Sequence, residues 1–145
     1  MTEPNKALIR EWVDTLRSGR YEQGYGRLIA IHEDGKKYCC LGVACDLFAS
    51  QIGGMSLASE PAKSADRNIE EIRFTWNTES AFGSTTEVLP EPLTQVLGID
   101  RNPTIWMEDG EAFSLAELND SRTYPFSEIA DLIEKKYLGE EIENG

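Results

Sequence analysis

Leu8, Ile9, Trp12, Val13 and Leu16 recur with the spacing of one apolar stripe on a helix. Pro4 suits the first turn of that helix, and Gly19, just past the last apolar position, suits a left-handed cap. The following Tyr21-Glu22-Gln23-Gly24-Tyr25-Gly26 carries too much glycine for regular structure. It predicts a loop in which Gly24 and Gly26 allow positive φ or the close approach of another group. Residues 27–33 and 36–39 flank Asp34-Gly35, a strong signal for an antiparallel hairpin. From Cys40, the run CLGVACDLFASQIGG places Leu41, Ala44, Leu47 and Phe48 on one side and predicts a second helix ending near Ile52. That helix is apolar most of the way round and therefore central.

Residues 55–69 are rich in serine, alanine and proline with little periodicity, and they predict an exposed loop insertion. Ile72 to Asn77 alternates as a strand does, with Glu87-Val88-Leu89 as its expected partner across a turn containing Gly83. A short helix is expected over residues 90–97, stopped by Gly98. Asp109-Gly110 marks a second hairpin, and Ser114 with Glu117 has capping-box spacing. The last helix is expected from Pro125 to Leu138 with Gly139 as its stop, leaving 140–145 as a flexible tail. The sum is one α+β domain, residues 1–139, in which a small antiparallel sheet with hairpins packs against about four helices.

A chain of 145 residues with 40% hydrophobic composition can bury a core without disulfide or metal staples. Its apolar runs are short and its first residues lack a basic segment followed by a hydrophobic one, so neither a membrane span nor a secretion signal is expected, and the expected location is the cytoplasm. The net charge of −12 argues against direct binding of nucleic acid, whose backbone is gripped by cations. The charge is uneven: residues 1–37 hold seven Lys or Arg against six Asp or Glu, while nearly all the excess acid lies beyond them. An anion site is therefore expected in the first segment, the remaining acid serving solubility.

Candidate chemistry is sparse. Cys39, Cys40 and Cys45 are too close and too few for a disulfide framework, and His32 is the single histidine, which disfavours zinc sites and histidine-dependent hydrolases. A Cys39 or Cys40 pair with His32 across the hairpin, and a carboxylate set of Asp46, Glu117 and Asp120, are the catalytic arrangements left open. No dinucleotide or P-loop fingerprint occurs. The segment from Arg17 to Arg27 interleaves Arg17, Arg20 and Arg27 with Tyr21, Tyr25 and Gln23. Such groups hold phosphates and stack on planar bases. They also describe a capped helix end whose tyrosines pack inward and whose arginines pair with Glu22 or Asp14. Asn119-Asp120-Ser121-Arg122 reads either as a turn or as hydrogen-bonding groups in a cleft.

The motifs LRSGRYEQG with Trp12, YCCLGVACDL at 38–47, LAELND at 115–120 and FSEIAD at 126–131 resemble a family of small proteins encoded by bacteriophages and prophages. The resemblance implies a viral origin and a likeness in kind to counter-defence proteins, some of which sequester nucleotide immune signals. The expected function is capture, without cleavage, of a nucleotide-derived signal of ADP-ribose or cyclic nucleotide type by a homo-oligomer. Arg17, Arg20 and Arg27 would hold phosphates and Tyr21 or Tyr25 would stack, with Trp12 as either a stacking or a core residue. Gln23 and Asn119 would give specificity. No cofactor or metal is expected. The alternatives are an acidic inhibitor or DNA mimic that binds a host defence protein, and an enzyme that cleaves a signalling nucleotide.

Overall fold

The computed structural model describes residues 3–61, 69–77 and 82–144, with side chains described as far as Gly139. Helix α1 (Lys6–Arg17) buries Ile9, Trp12, Val13 and Leu16, the stripe read from the sequence. Its N-cap is Asn5, whose side chain accepts from the Leu8 N–H, so Pro4 lies outside the first turn. Strands β1 (Ile29–His32) and β2 (Gly35–Tyr38) form the first hairpin, with His32 opposite Gly35, which places the turn at Glu33 and Asp34. Helix α2 (Cys40–Phe48) is buried on nearly every side and runs into one turn of 3-10 helix at Ala49–Gln51.

Strand β3 (Met55–Pro61) occupies the start of the segment expected as a loop insertion; residues 62–68 of that segment lie outside the described residues. Its side chains are mostly exposed, which is why no periodicity marks it. The partner fixes it instead: β4 (Glu70–Asn77) pairs with it residue by residue from Met55↔Trp76 to Pro61↔Glu70. The other edge of β4 is shared, β1 pairing beside its start and β5 (Phe82–Thr85) beside its end. Thus Phe82–Thr85, and not residues 87–89, is the strand that answers β4. Gly83, expected in a turn, lies in β5 opposite Trp76, where a Cβ would stand 2.5 Å from Cζ2 of the indole. Glycine there marks close approach.

Helix α3 (Glu91–Leu97) ends at Gly98 with φ 71°, as its sequence predicts. Strands β6 (Thr104–Trp106) and β7 (Ala112–Ser114) form the second hairpin, a separate two-stranded sheet. Helix α4 (Leu115–Asp120) opens with the full Ser114/Glu117 capping box. Helix α5 (Phe126–Asn144) packs along α1 and continues through Gly139, which neither takes a positive φ nor ends it as expected. Among the described residues the result is α+β: five α-helices, a five-stranded antiparallel sheet and the small separate hairpin. Trp12 is a core residue at 0% exposure, its indole N–H donating to the Cys40 carbonyl at 2.9 Å.

Candidate functional site

Two polar segments far apart in sequence, the loop after α1 and the end of α4, meet in space. Asn119 is fully buried at their junction. A buried amide needs partners for both its oxygen and its NH2 group, and it has them. Asn119 Nδ2 donates to the Gly24 carbonyl at 2.8 Å, while Oδ1 accepts from Gln23 Nε2 at 3.0 Å and from the Cys40 N–H at 3.2 Å. Gln23 Nε2 also donates to the Tyr124 carbonyl at 3.0 Å, and the Gly26 N–H donates to Asp120 Oδ1 at 2.8 Å. Cys40 is the first residue of α2, so its N–H is one that a helix leaves without an internal partner. Gln23 and Asn119, expected to give ligand specificity, thus fasten the loop to α2 and α4.

Other expected ligand residues are engaged as well. Arg17 points along the α1–α5 seam, where Nη2 donates to Asp131 at 2.6 Å and to Glu134 at 3.0 Å. Arg10 shares Glu134. Hydrogen bonds from Arg17 and then Arg10 hold the Glu134 carboxyl down at about 2. The Tyr21 hydroxyl donates to Asp46, and its ring stands edge-on to Tyr38 with centroids 4.7 Å apart; burial and then the Asp46 bond push the phenol up to about 12. Arg27 pairs with the buried Glu71 at 3.2 Å. Of the expected set, Arg20 is exposed, 6.0 Å from the Tyr21 ring, and Tyr25 is half-buried under the Arg122 guanidinium at 4.4 Å. Arg122 has φ 65°, a left-handed conformation at the end of α4. The cavity on this face holds about 200 Å³, and Glu87 and Asp120 line it beside Arg27. It is smaller than the about 300–1,000 Å³ of typical ligand sites, and acid outweighs base in its lining.

A larger groove of about 640 Å³ lies between the β6–β7 hairpin and α5. Buried Ile105 and half-buried Met107 and Leu132 give it an apolar lining. Trp106, 72% exposed, lines it from the hairpin, and Lys135 and Lys136 line it from α5. Glu108 and Asp109 join from the hairpin turn. Among the described residues none of these four charges makes an ion pair. The sequence pattern predicts the hairpin and the helix but not the groove between them. The available signal was Trp106 itself: alternation turns Ile105 inward and leaves a large aromatic on the open face of a short hairpin.

The catalytic arrangements left open by the sequence do not assemble. His32 stands at the turn end of the first hairpin, opposite Gly35, whereas Cys39 and Cys40 follow Tyr38 at its open end. All three thiols are buried; burial pushes Cys39 up to about 12 and raises Cys40 and Cys45 as well. Asp46 accepts from Tyr21, Glu117 closes the capping box and Asp120 holds Gly26. Among the described residues no three His, Cys, Asp or Glu side chains group as metal ligands would. No helix there is long and apolar enough to cross a membrane.

Fold and site together define a small α+β domain with a ligand-sized groove that is part apolar and part charged. The chain belongs to the family described as a domain of unknown function, DUF8296, which matches residues 5–137. No curated protein and no solved structure matches the chain.

Proposed function

We propose that this protein captures a nucleotide-derived small molecule without cleaving it, as a phage or prophage counter-defence protein acting in the host cytoplasm. The groove carries this reading: an exposed Trp106, two lysines and two carboxylates, none of the four charges in an ion pair among the described residues, share about 640 Å³ with an apolar lining. A planar base stacking on the indole gains about 0.5–1.5 kcal/mol beyond its buried area. Lysine ammoniums bind phosphate as point charges, and apolar side chains shield the sugar and base edges from water. The net charge of −12 opposes an anion at long range, but a local basic wall acts within a Debye length of about 8 Å, where the bulk charge is screened. Viral origin and the counter-defence role rest on the sequence resemblance. In this reading the ligand contacts move from the Arg17–Arg27 segment to the groove, with Arg20 as the exposed member of that segment's set without a hydrogen-bonded side-chain partner.

The test is to incubate the purified protein with extracts of infected cells carrying TIR-type or cyclase defences, denature it by heat, and analyse the released small molecules by mass spectrometry. An intact nucleotide should be released by the native protein and by Arg20→Ala, and lost from Trp106→Ala and from Lys135→Gln with Lys136→Gln. An altered nucleotide would replace capture with cleavage. Release of nothing would transfer the function to an acidic face that binds a host protein. Loss in Arg20→Ala alone would return the site to the loop. Sedimentation of the same samples, with and without ligand, reads out the proposed homo-oligomer.

A further inference from the structure

We infer that the molecule held in the groove carries separated charges: a cationic planar ring joined to an anionic phosphate. This inference rests on the capture reading and refines it. The groove has an acidic and a basic side, each supplied by one element. Glu108 and Asp109 come from the turn that follows Trp106, and Lys135 and Lys136 from α5. No ion pair joins the two sides.

Local contacts help keep the sides apart. Asp109 Oδ1 accepts from the Glu111 N–H at 2.9 Å, which fixes the carboxylate to its own turn. Lys136 Nζ lies 5.4 Å from the Tyr137 ring, a cation held along its own helix. A purely anionic ligand is attracted by the lysines and repelled by the carboxylates. A ligand with a positive ring and a negative tail satisfies both sides at once. Trp106 closes β6 just before the turn that carries Glu108 and Asp109, and indole is the aromatic that attracts cations best. The ring end of the ligand therefore belongs with Trp106, Glu108 and Asp109, and the phosphate end with Lys135 and Lys136.

A calorimetric titration with two probes isolates the ring charge. Nicotinamide mononucleotide has a cationic ring and a phosphate; its dihydro form has nearly the same shape and phosphate with a neutral ring. Adenosine monophosphate serves as the reference anion. The cationic form should bind about tenfold more tightly than the dihydro form, the scale expected for one charge near two part-screened carboxylates. Glu108→Gln with Asp109→Asn should erase that preference while leaving the dihydro form at least as well bound. Lys135→Gln with Lys136→Gln should weaken both forms alike. Equal affinity for the two forms, or tighter binding of adenosine monophosphate, overturns the charge-separated ligand and leaves capture standing. Binding of none of the three probes also overturns the charge-separated ligand, and the release experiment then decides whether capture stands.

Discussion

Gln23 Nε2 donates to Asn119 Oδ1 at 3.0 Å, joining residues 96 positions apart. The same oxygen accepts from the first N–H of α2, and the Asn119 NH2 group donates to the Gly24 carbonyl. One buried amide therefore fixes the loop after α1, the start of the central helix and the end of α4. This is why the two polar motifs most suggestive of ligand chemistry lie together while facing each other more than solvent.

Asn119→Ala leaves the Gly24 carbonyl and the Cys40 N–H without their partner in a buried site, a loss of about 2–4 kcal/mol. Asn119→Asp preserves both acceptor contacts but sets a carboxylate oxygen against the Gly24 carbonyl and buries a charge, so it should be at least as damaging. Urea denaturation midpoints measure both. An Asn119→Ala variant within about 0.5 kcal/mol of the native protein would remove the amide from its central role.

What the sequence made legible was what local physics dictates. The stripe Ile9, Trp12, Val13 and Leu16, the Ser114/Glu117 box and the Gly98 stop depend on neighbours a turn away, and each is found where its pattern puts it. Strand β3 depends on β4: its mostly exposed residues carry no alternation of their own. Gly83 and Gly139 are the same residue type doing different things, one admitting the Trp76 ring and one continuing a helix, where the sequence pattern reads a turn and a cap. Arg17 shows the same dependence on distant partners. Arg17 has the chemistry to hold a phosphate, but Asp131 and Glu134, more than a hundred positions away, reach it first.

Gly42 lies where α2 passes the backbone before β1. A Cβ there would stand 1.9 Å from the Leu28 carbonyl oxygen, which is backbone and also accepts from the Cys39 N–H at 3.0 Å. Gly42→Ala should cost about 3 kcal/mol or more, or prevent folding. Gly53→Ala is the control, since its Cβ would meet nothing within 4 Å. It should change stability by less than about 1 kcal/mol, toward stabilisation, by restricting the unfolded chain. Equal midpoints for the two variants would refute the close approach.

Cys39, Cys40 and Cys45 are buried and their thiols are held protonated by burial. Because the thiolate is the reactive form, a disulfide reagent should modify none of them quickly in the folded protein and all of them in denaturant. The colorimetric release of thiolate at neutral pH gives the count directly. Rapid labelling of one native thiol would show an opening of α2 that the packed structure does not contain.

The α1–α5 seam predicts a specific acid response. Glu134 is depressed from 4.5 to about 2 by Arg17 and Arg10, so the folded state favours its charged form. That stabilisation is fully present above the ordinary carboxylate value and is lost as pH falls from about 4.5 toward 2. Arg17 is 31% exposed and Glu134 19%, so solvent screens the pair and its worth is about 1 kcal/mol. Glu134→Gln should therefore lower stability by about that amount at neutral pH and flatten the acid limb of the denaturation profile. Arg17→Ala should lower it similarly, and the double variant should lose less than the sum, a coupling of about 1 kcal/mol in a double-mutant cycle. Ligand release, measured on the same Arg17→Ala protein, should be unchanged, because this guanidinium holds two helices together and does not face the groove. Additive losses with an unaltered acid limb would sink the ion pair as a stabilising contact, and loss of captured ligand would restore Arg17 to the binding site.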